Sequence, residues 1–211
     1  MATQPQTPTG TEQDQTVEQK IRSVQALYAD APEMARVALE HLLQALQSEV
    51  AARTEAARTQ SAGRIGARQG NVSELTLIAP LAAGGAKRLR GLLQMLDGNF
   101  RGADLVGTLH DMRFVFLDDD TKVLFATAYD GDWDPYIDDF ATKIPDYMDL
   151  LFSNLEGFPG IHSPSVKDWV VKHQIPAAAW YVANPNLTVV ETRRLERIGK
   201  ALDEFLDKVS A

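Results

Sequence analysis

The chain has 211 residues, of which 45% are hydrophobic, and its 21 basic and 29 acidic side chains give a formal net charge of −8 at pH 7. Duplex-binding proteins need a basic face to displace counterions, and no basic patch stands out in this acidic chain, so we expect no nucleic acid partner. Cysteine is absent, which excludes disulfides, thiolate catalysis and cysteine-ligated metals. No apolar run reaches the ~18 residues of a membrane span and the first residues do not resemble a signal peptide. We therefore expect a cytoplasmic protein without a membrane partner.

The chain order begins with a polar segment. Residues 1–15 are mostly Gln, Thr, Pro and Gly, a composition that predicts a disordered tail. Apolar residues at helical spacing then predict two helices within residues 16–60, which together form a helical arm. The glycine-rich residues 61–72 are predicted to be a linker. Residues 73–211 remain as the main domain.

The main domain has a regular alternation of predicted elements. Helices are expected after the first and the third of its strands, which are predicted at 74–81, 107–117, 122–129 and 176–183. This is the βαββαβ order of a ferredoxin-like α+β fold, with one additional helix before the fourth strand. Thr188 and Glu191 form a capping box that begins a last helix. Its apolar stripe consists of Leu195, Ile198, Leu202, Phe205 and Val209.

The second and third predicted strands are apolar on both faces. In the second strand, Met112, Phe114 and Phe116 alternate with Val115 and Leu117. A sheet that carries helices on one face only should be polar on its other face. We therefore predict that a second subunit or the helical arm covers that face. Two sheets that meet in this way would form a homodimeric α+β barrel.

Residues 107–140, GTLHDMRFVFLDDDTKVLFATAYDGDWDPYIDDF, resemble bacterial proteins of the dimeric α+β barrel superfamily. In that pattern, a strand of the form His-x-x-Arg-aromatic leads through an acidic turn to a strand ending in Asp-Gly, and a helix with Tyr and Asp-Asp-Phe follows. The matching residues here are His110, Arg113, Phe114, Asp130, Gly131, Tyr136, Asp138, Asp139 and Phe140.

The layout is also similar to the N-terminal half of dye-decolourising peroxidases. Their Gly-x-x-Asp-Gly motif lacks its leading glycine here at both Asp-Gly steps, Asp97-Gly98 and Asp130-Gly131. The resemblance implies a pocket at the sheet, in a superfamily that includes haem enzymes, cofactor-free monooxygenases, isomerases and binding proteins. Haem is accordingly the cofactor that the resemblance suggests.

His110 and Arg113 are the candidate catalytic residues, on a strand that we expect to be central. His110 can act as a general base or ligate haem, or it can simply bond a nearby carbonyl. Arg113 can clamp an anionic ligand, or it can form a structural ion pair with Asp111. Because an odd number separates His110 from Arg113, a regular strand points them to opposite faces. The candidate ligand-binding residues are Phe114, Tyr129, Trp180 and Tyr181.

Asp130, Asp132 and Asp134 have the spacing that begins a calcium-binding loop. However, Pro135 stands where that loop needs glycine and Ala141 stands where it needs glutamate, so we predict no metal site. The sequence favours a small-molecule binding protein or enzyme, oxidoreductases included, with its pocket at the sheet. The alternative is a non-catalytic scaffold or oligomerisation protein that uses the N-terminal helices.

Overall fold

A computed structural model describes residues 17–50, 59–96 and 101–210 of the chain. The predicted disordered tail, residues 1–15, lies outside the described residues. The chain divides into two compact units, one within Met1–Ala56 and one within Ala57–Ala211. Each unit is described by itself.

The N-terminal unit contains two helices in its described part, α1 (Val17–Leu27) and α2 (Glu33–Val50). Both lie within the predicted helical arm. Pro32 precedes α2 directly, where its missing N–H group costs no helical hydrogen bond. Several apolar side chains of the unit are exposed, including Leu27, Met34 and Leu42.

The second unit is built on an antiparallel sheet of five strands in the part of the chain that the structure describes. The strands are β1 (Gln60–Ser61), β2 (Ala67–Gln69), β3 (Val72–Pro80), β4 (Leu109–Leu117) and β5 (Lys122–Asp130). Their order in the sheet is β1-β2-β3-β5-β4. This α+β architecture is compatible with the predicted ferredoxin-like fold.

Helices cover one face of this sheet. The described helices of the unit are α3 (Gly85–Met95), α4 (Arg101–Val106), α5 (Trp133–Lys143), α6 (Pro145–Phe152), α7 (Val166–His173) and α8 (Val189–Ser210). Pro145 is the first residue of α6 and separates it from α5, as the sequence predicted. The short helix α4 was not predicted from the sequence.

An apolar core fills the space between the sheet and the helices α3 to α7. Leu75 and Leu77 of β3 and Phe125 of β5 point into it, and all three are almost fully buried. The Phe125 ring lies 4.9 Å from that of Phe114 and 5.1 Å from that of Phe152, measured between ring centroids. The alternation of the strands therefore places these large apolar residues on the helix-covered face.

Residues 61–72, predicted as a linker, are part of the sheet. β2 pairs with the start of β3, where Arg68 is opposite Ser73 and Gln69 is opposite Val72. The turn between the two strands contains Gly70, whose φ of 59° is a left-handed conformation that glycine adopts without strain. The glycines therefore form the turns of a small hairpin, a role that composition alone does not distinguish from that of a linker.

The predicted fourth strand, residues 176–183, is wrong, because this fully described segment forms no strand. On the side of β3 away from β5, β2 pairs with the first residues of the strand. Further along the same side, one isolated antiparallel β-bridge joins Leu77 to Gln174. Pro176 then interrupts any ladder because it has no N–H group to donate. The chain leaves the edge of β3 at this point.

β4 lies at the edge of the sheet, and the prediction of a central strand is therefore wrong. Its neighbour β5 is an interior strand, which pairs with β3 on one side and with β4 on the other. Side chains on the face away from the helices are exposed on β4, as in Asp111, Arg113 and Val115. The expected burial of both faces is found on β5 only at Ala126, which is 3% exposed, because the residues two positions before and after it on the same face are half-buried.

The predicted capping box begins α8. The backbone N–H of Glu191 donates to Thr188 Oγ1 over 3.2 Å, and Glu191 Oε2 accepts from the backbone N–H of Thr188 over 2.9 Å. Hydrogen bonds from the backbone and side chain of Thr188 lower the pKa of the Glu191 carboxyl below its ordinary value. The ionised form is therefore favoured when the helix is formed.

Acidification should weaken the start of α8 through this carboxylate. Its contribution is present above the ordinary Glu pKa of 4.5 and is lost as the pH falls through the lowered folded value. We expect Glu191→Gln to lose less helical signal at 222 nm on acidification than the unmodified protein. Glu196→Gln, on the same helix but outside the capping box, is the control. An equal loss in all three proteins would contradict the prediction.

Candidate functional site

The sheet face opposite the helices, here called the open face, combines small and polar side chains at one end. In one row across the strands, Glu74 is opposite Ala128, which is in turn opposite Asp111. In the next row, Thr76, Ala126 and Arg113 are aligned in the same way. At this end of the open face, β5 thus contributes only methyl groups, and its neighbours β3 and β4 contribute polar groups.

A pocket of about 320 Å³ lies over this end of the open face. The small alanine side chains of β5 leave space above the sheet that larger side chains would fill. Its volume falls at the lower end of the ~300–1,000 Å³ that is usual for ligand pockets. The lining residues are Glu74, Thr76, Asp111, Arg113, Ala126, Thr127, Ala128, Ala177, Ala179, Trp180 and Tyr181.

The segment 175–181 covers the pocket, and we call it the cover segment. Its first backbone N–H, that of Ile175, donates to the carbonyl of Thr76 over 2.8 Å. At its other end, the carbonyl of Trp180 accepts a hydrogen bond of 2.8 Å from Gln69 Nε2. The residues predicted to form a fourth strand are therefore tied to β3 and β2 at two points and form one wall of the pocket.

Glu74 joins the cover segment to the sheet. Its side chain is nearly buried, and the residue is 4% exposed. Oε1 accepts from the backbone N–H groups of Ala67 and Ala177, each over 3.1 Å, and Oε2 accepts from Thr76 Oγ1 over 3.2 Å. Three donors compensate the burial of this carboxylate. Sequence reasoning missed Glu74, although an acidic residue beginning an apolar strand was a usable signal.

Arg113 lies at the rim of the pocket. Its Nη1 donates to Asp111 Oδ2 over 2.6 Å, which is the ion pair that the sequence predicted as the alternative role. The Arg113 side chain is 61% exposed and that of Asp111 is 49% exposed, because β4 is an edge strand. Among the described residues, no second acceptor binds the guanidinium, so its remaining N–H groups are available to a ligand.

His110 occupies a β-bulge in β4, between Leu109 and Asp111. In a regular strand His110 and Phe114 would lie on the same face. The extra residue interrupts the alternation, so Leu109 packs against the core instead and His110 does not share the face of Phe114. Its Nε2 lies 2.7 Å from Asp130 Oδ1, with 24% of the His110 side chain exposed. Within the described residues, His110 does not line the pocket.

Asp130 connects this histidine to the last helix. Its second oxygen, Oδ2, accepts a 2.9 Å hydrogen bond from the backbone N–H of Val189, the first residue of α8. A histidine bonded to a carboxylate is a common general-base arrangement. Here both oxygens of the Asp130 carboxylate accept hydrogen bonds or contact His110, and these contacts hold the first residue of α8 against the end of the sheet.

The four aromatic candidates separate into two pairs. Trp180 and Tyr181 of the cover segment line the pocket together with Arg113. Phe114 packs on the helix-covered face, and Tyr129 is fully buried there with its ring stacked 3.7 Å from that of Tyr136. Burial raises the pKa of the Tyr129 hydroxyl above its usual range. Phe114 and Tyr129 therefore lie on the other side of the sheet from the pocket.

Haem does not fit the residues of this site. Among the described residues, the lining contains no histidine, cysteine or methionine, and Nε2 of His110 is engaged by Asp130. Tyr181 is the one residue of the described lining that is of a type that ligates haem, and it is 83% exposed rather than enclosed. The described residues also contain no group of three or more His, Cys, Asp or Glu placed to hold a metal ion. Within the same residues, no helix has the length and apolar character needed to cross a membrane.

Two further cavities are much smaller. They lie in the apolar layer beneath the helices and have volumes of about 30 and 20 Å³. Each has room for only one or two water molecules. The pocket on the open face is therefore the better candidate for a ligand.

Comparisons with family models, with curated proteins and with solved structures find no match to this chain. The likeness to the dimeric α+β barrel superfamily therefore rests on the pattern in residues 107–140 and on a compatible α+β fold.

Proposed function

We propose that this protein binds a small planar carboxylate in the pocket on the open face. The observation that carries the proposal is the pocket of about 320 Å³, whose lining includes both Arg113 and Trp180. A guanidinium with free N–H groups binds a carboxylate through two parallel hydrogen bonds. An indole offers a flat apolar surface to a planar ring.

The rest of the lining is consistent with such a ligand. The methyl groups of Ala126 and Ala128 form a flat floor that a ring can contact without displacing a larger side chain. Asp111 holds one N–H group of Arg113 and so restricts where the guanidinium lies. Glu74 accepts hydrogen bonds from three donors and so serves the pocket wall rather than the ligand.

Binding is favoured over turnover by the chemistry of the lining. The described lining has hydroxyl groups on Thr76 and Tyr181 but no histidine or lysine to activate them. The hydroxyl of Thr127 bonds Tyr136 on the helix-covered face. The His110–Asp130 pair is separate from it. We also do not propose that two open faces meet to form a barrel, because the cover segment already lies over part of that face.

A second candidate function is assembly through the N-terminal helices. Exposed apolar side chains on α1 and α2 favour it, since Leu27 is 73% exposed and Met34 is 79% exposed. On α1, Val24, Leu27 and Tyr28 are all exposed and are spaced so that they share one face of the helix. Such a group is typical of surfaces that bind another protein. This function does not compete with the pocket for any residue.

The test of the ligand proposal is Arg113→Met, titrated with benzoate, phenylacetate and indole-3-acetate by calorimetry. We expect at least one of these probes to bind the unmodified protein, and the substitution to weaken its binding roughly 10- to 100-fold, as expected for a charge-assisted hydrogen bond. Thermal stability should change little, since exposed ion pairs contribute about 0–1 kcal/mol.

Arg90→Met is the matched control. Arg90 is also exposed and paired with an aspartate, Asp120, but it lies on α3 and outside the pocket lining. It should leave the affinity unchanged. The amides of the three acids, which carry no charge, should bind poorly to all the proteins. Binding of the acids that is the same with and without Arg113 would overturn the proposal, as would the failure of every probe to bind.

A further inference from the structure

The last helix leaves the body of its unit after one turn. Val189 is the one buried residue along the fully described length of α8. Its backbone N–H bonds Asp130, and Arg193 Nη2 forms a 2.6 Å ion pair with Asp104 Oδ1 of α4. The helix has 22 residues, which at 1.5 Å per residue extend over about 33 Å. Most of that length is therefore exposed.

This exposed part carries an apolar stripe with the spacing of a helix–helix interface. The steps between successive apolar positions alternate between three and four residues, the spacing at which helices pair in coiled coils. The stripe residues are between 49% and 64% exposed, and they are Leu195, Ile198, Leu202, Phe205 and Val209. Gly199 and Ala201 flank the stripe, and their small size lets a second helix approach closely. Burial of such a stripe is the main favourable term in helix association.

The charges of α8 identify its partner. Residues 191–200 contain four basic and two acidic side chains, and residues 201–210 contain three acidic and one basic side chain. The first half thus has a net charge of +2 and the second half a net charge of −2. A helix whose two halves have opposite charge is complementary to a second copy of itself in the antiparallel orientation. In the parallel orientation, each half would face a half of its own sign.

We propose that α8 pairs antiparallel with α8 of a second copy of this chain and thereby forms a homodimer. The two bodies then lie at opposite ends of the helix pair, because each is attached at the N-terminal end of its own α8. The pair requires no contact between the two sheets. This proposal is independent of the ligand pocket and uses none of its residues.

The first test measures the oligomeric state of the full chain by sedimentation equilibrium. We expect a dimer at micromolar concentration, and Leu202→Gln should raise the dissociation constant at least tenfold. Lys200→Gln changes a neighbouring residue outside the stripe to the same amide. It removes one charge of the first half but no apolar contact, so it should raise the dissociation constant much less than Leu202→Gln does. At concentrations low enough for the protein to be monomeric, the melting temperature should be unchanged in both variants, since Leu202 is 53% exposed and does not belong to the core of its unit.

A monomer under these conditions would overturn the proposal, and so would a dimer that Leu202→Gln does not weaken. A monomer would mean that the stripe binds another protein or the N-terminal helices of the same chain. A dimer that is not weakened would place the dimer interface on another surface.

The second test measures orientation. Because the chain has no cysteine, Ser210→Cys provides a unique site for a spin label near the end of α8. If the helices cross where the charge changes sign, near residue 200, the two labels of an antiparallel pair lie about 30 Å apart along the axis. A parallel pair would bring them to about 10 Å, the usual distance between packed helices. A short distance would overturn the antiparallel arrangement.

Discussion

Replacing Glu74 with alanine is expected to lower the free energy of unfolding by about 2–4 kcal/mol and to release the cover segment from the pocket. The substitution removes the acceptor of two backbone N–H groups, those of Ala67 in β2 and Ala177 in the cover segment. Both donors lie in part-buried surroundings, where an N–H group without a partner is costly. The effect should therefore be both local and global.

Urea unfolding measures the global effect, and hydrogen exchange at the amides of Ala67 and Ala177 measures the local one. Glu74→Gln is the matched variant, since its remaining carbonyl oxygen can still accept, and it should lose less stability than the alanine variant. Glu156→Ala removes an exposed glutamate and should change neither measurement. If exchange at the two amides stayed as slow in Glu74→Ala as in the unmodified protein, the role given to this carboxylate would be wrong.

Replacing Trp133 with alanine should be still more destabilising, by about 3–5 kcal/mol. Trp133 is fully buried at the start of α5, and its Nε1 donates to Gln174 Oε1 over 2.7 Å. Its backbone N–H also donates to the carbonyl of Ala62, in the turn between β1 and β2. Loss of the ring would leave a cavity and would also remove the donor of a buried amide, since Gln174 is 6% exposed.

Trp133→Phe separates these two contributions, because it keeps most of the ring volume and removes only the N–H donor. Its loss of stability should lie between that of the unmodified protein and that of the alanine variant. Trp180→Ala is the control for removing a tryptophan, since Trp180 is only partly buried. Trp180→Ala should cost little stability but should weaken the binding of any ligand in the pocket. Equal destabilisation by Trp133→Ala and Trp180→Ala, measured by thermal unfolding, would contradict this account of the core.

The sequence by itself determined those elements whose stability depends on near neighbours. The hairpin between β4 and β5 was predicted from an acidic turn, and Asp118, Asp119 and Asp120 indeed have φ values of 51°, 52° and 64°. Aspartate tolerates this left-handed conformation better than most residues. The break at Pro145 and the capping box at Thr188 are likewise local effects of a missing N–H group and of a hydroxyl three residues from a carboxylate.

Only the tertiary structure decided what lies beside β3. Residues 176–183 have the composition of a strand, but β-strand formation needs an available edge, and β2 already pairs with one end of β3. Residues 61–72 have the composition of a linker, yet their glycines permit the turns of a hairpin. In both segments the outcome depends on pairing between residues that are distant in sequence or on turns, which local composition does not encode.

The candidate site shows the same division at the level of single residues. Arg113 and its ion pair with Asp111 were predictable from their separation of two residues along a strand. The rest depended on the sheet as a whole. A bulge moved His110 out of the alternation, the edge position of β4 exposed Arg113, and the cover segment brought Trp180 over the alanines of β5. Each of these results follows from strand order and register, and these are set by contacts across the sheet rather than along the chain.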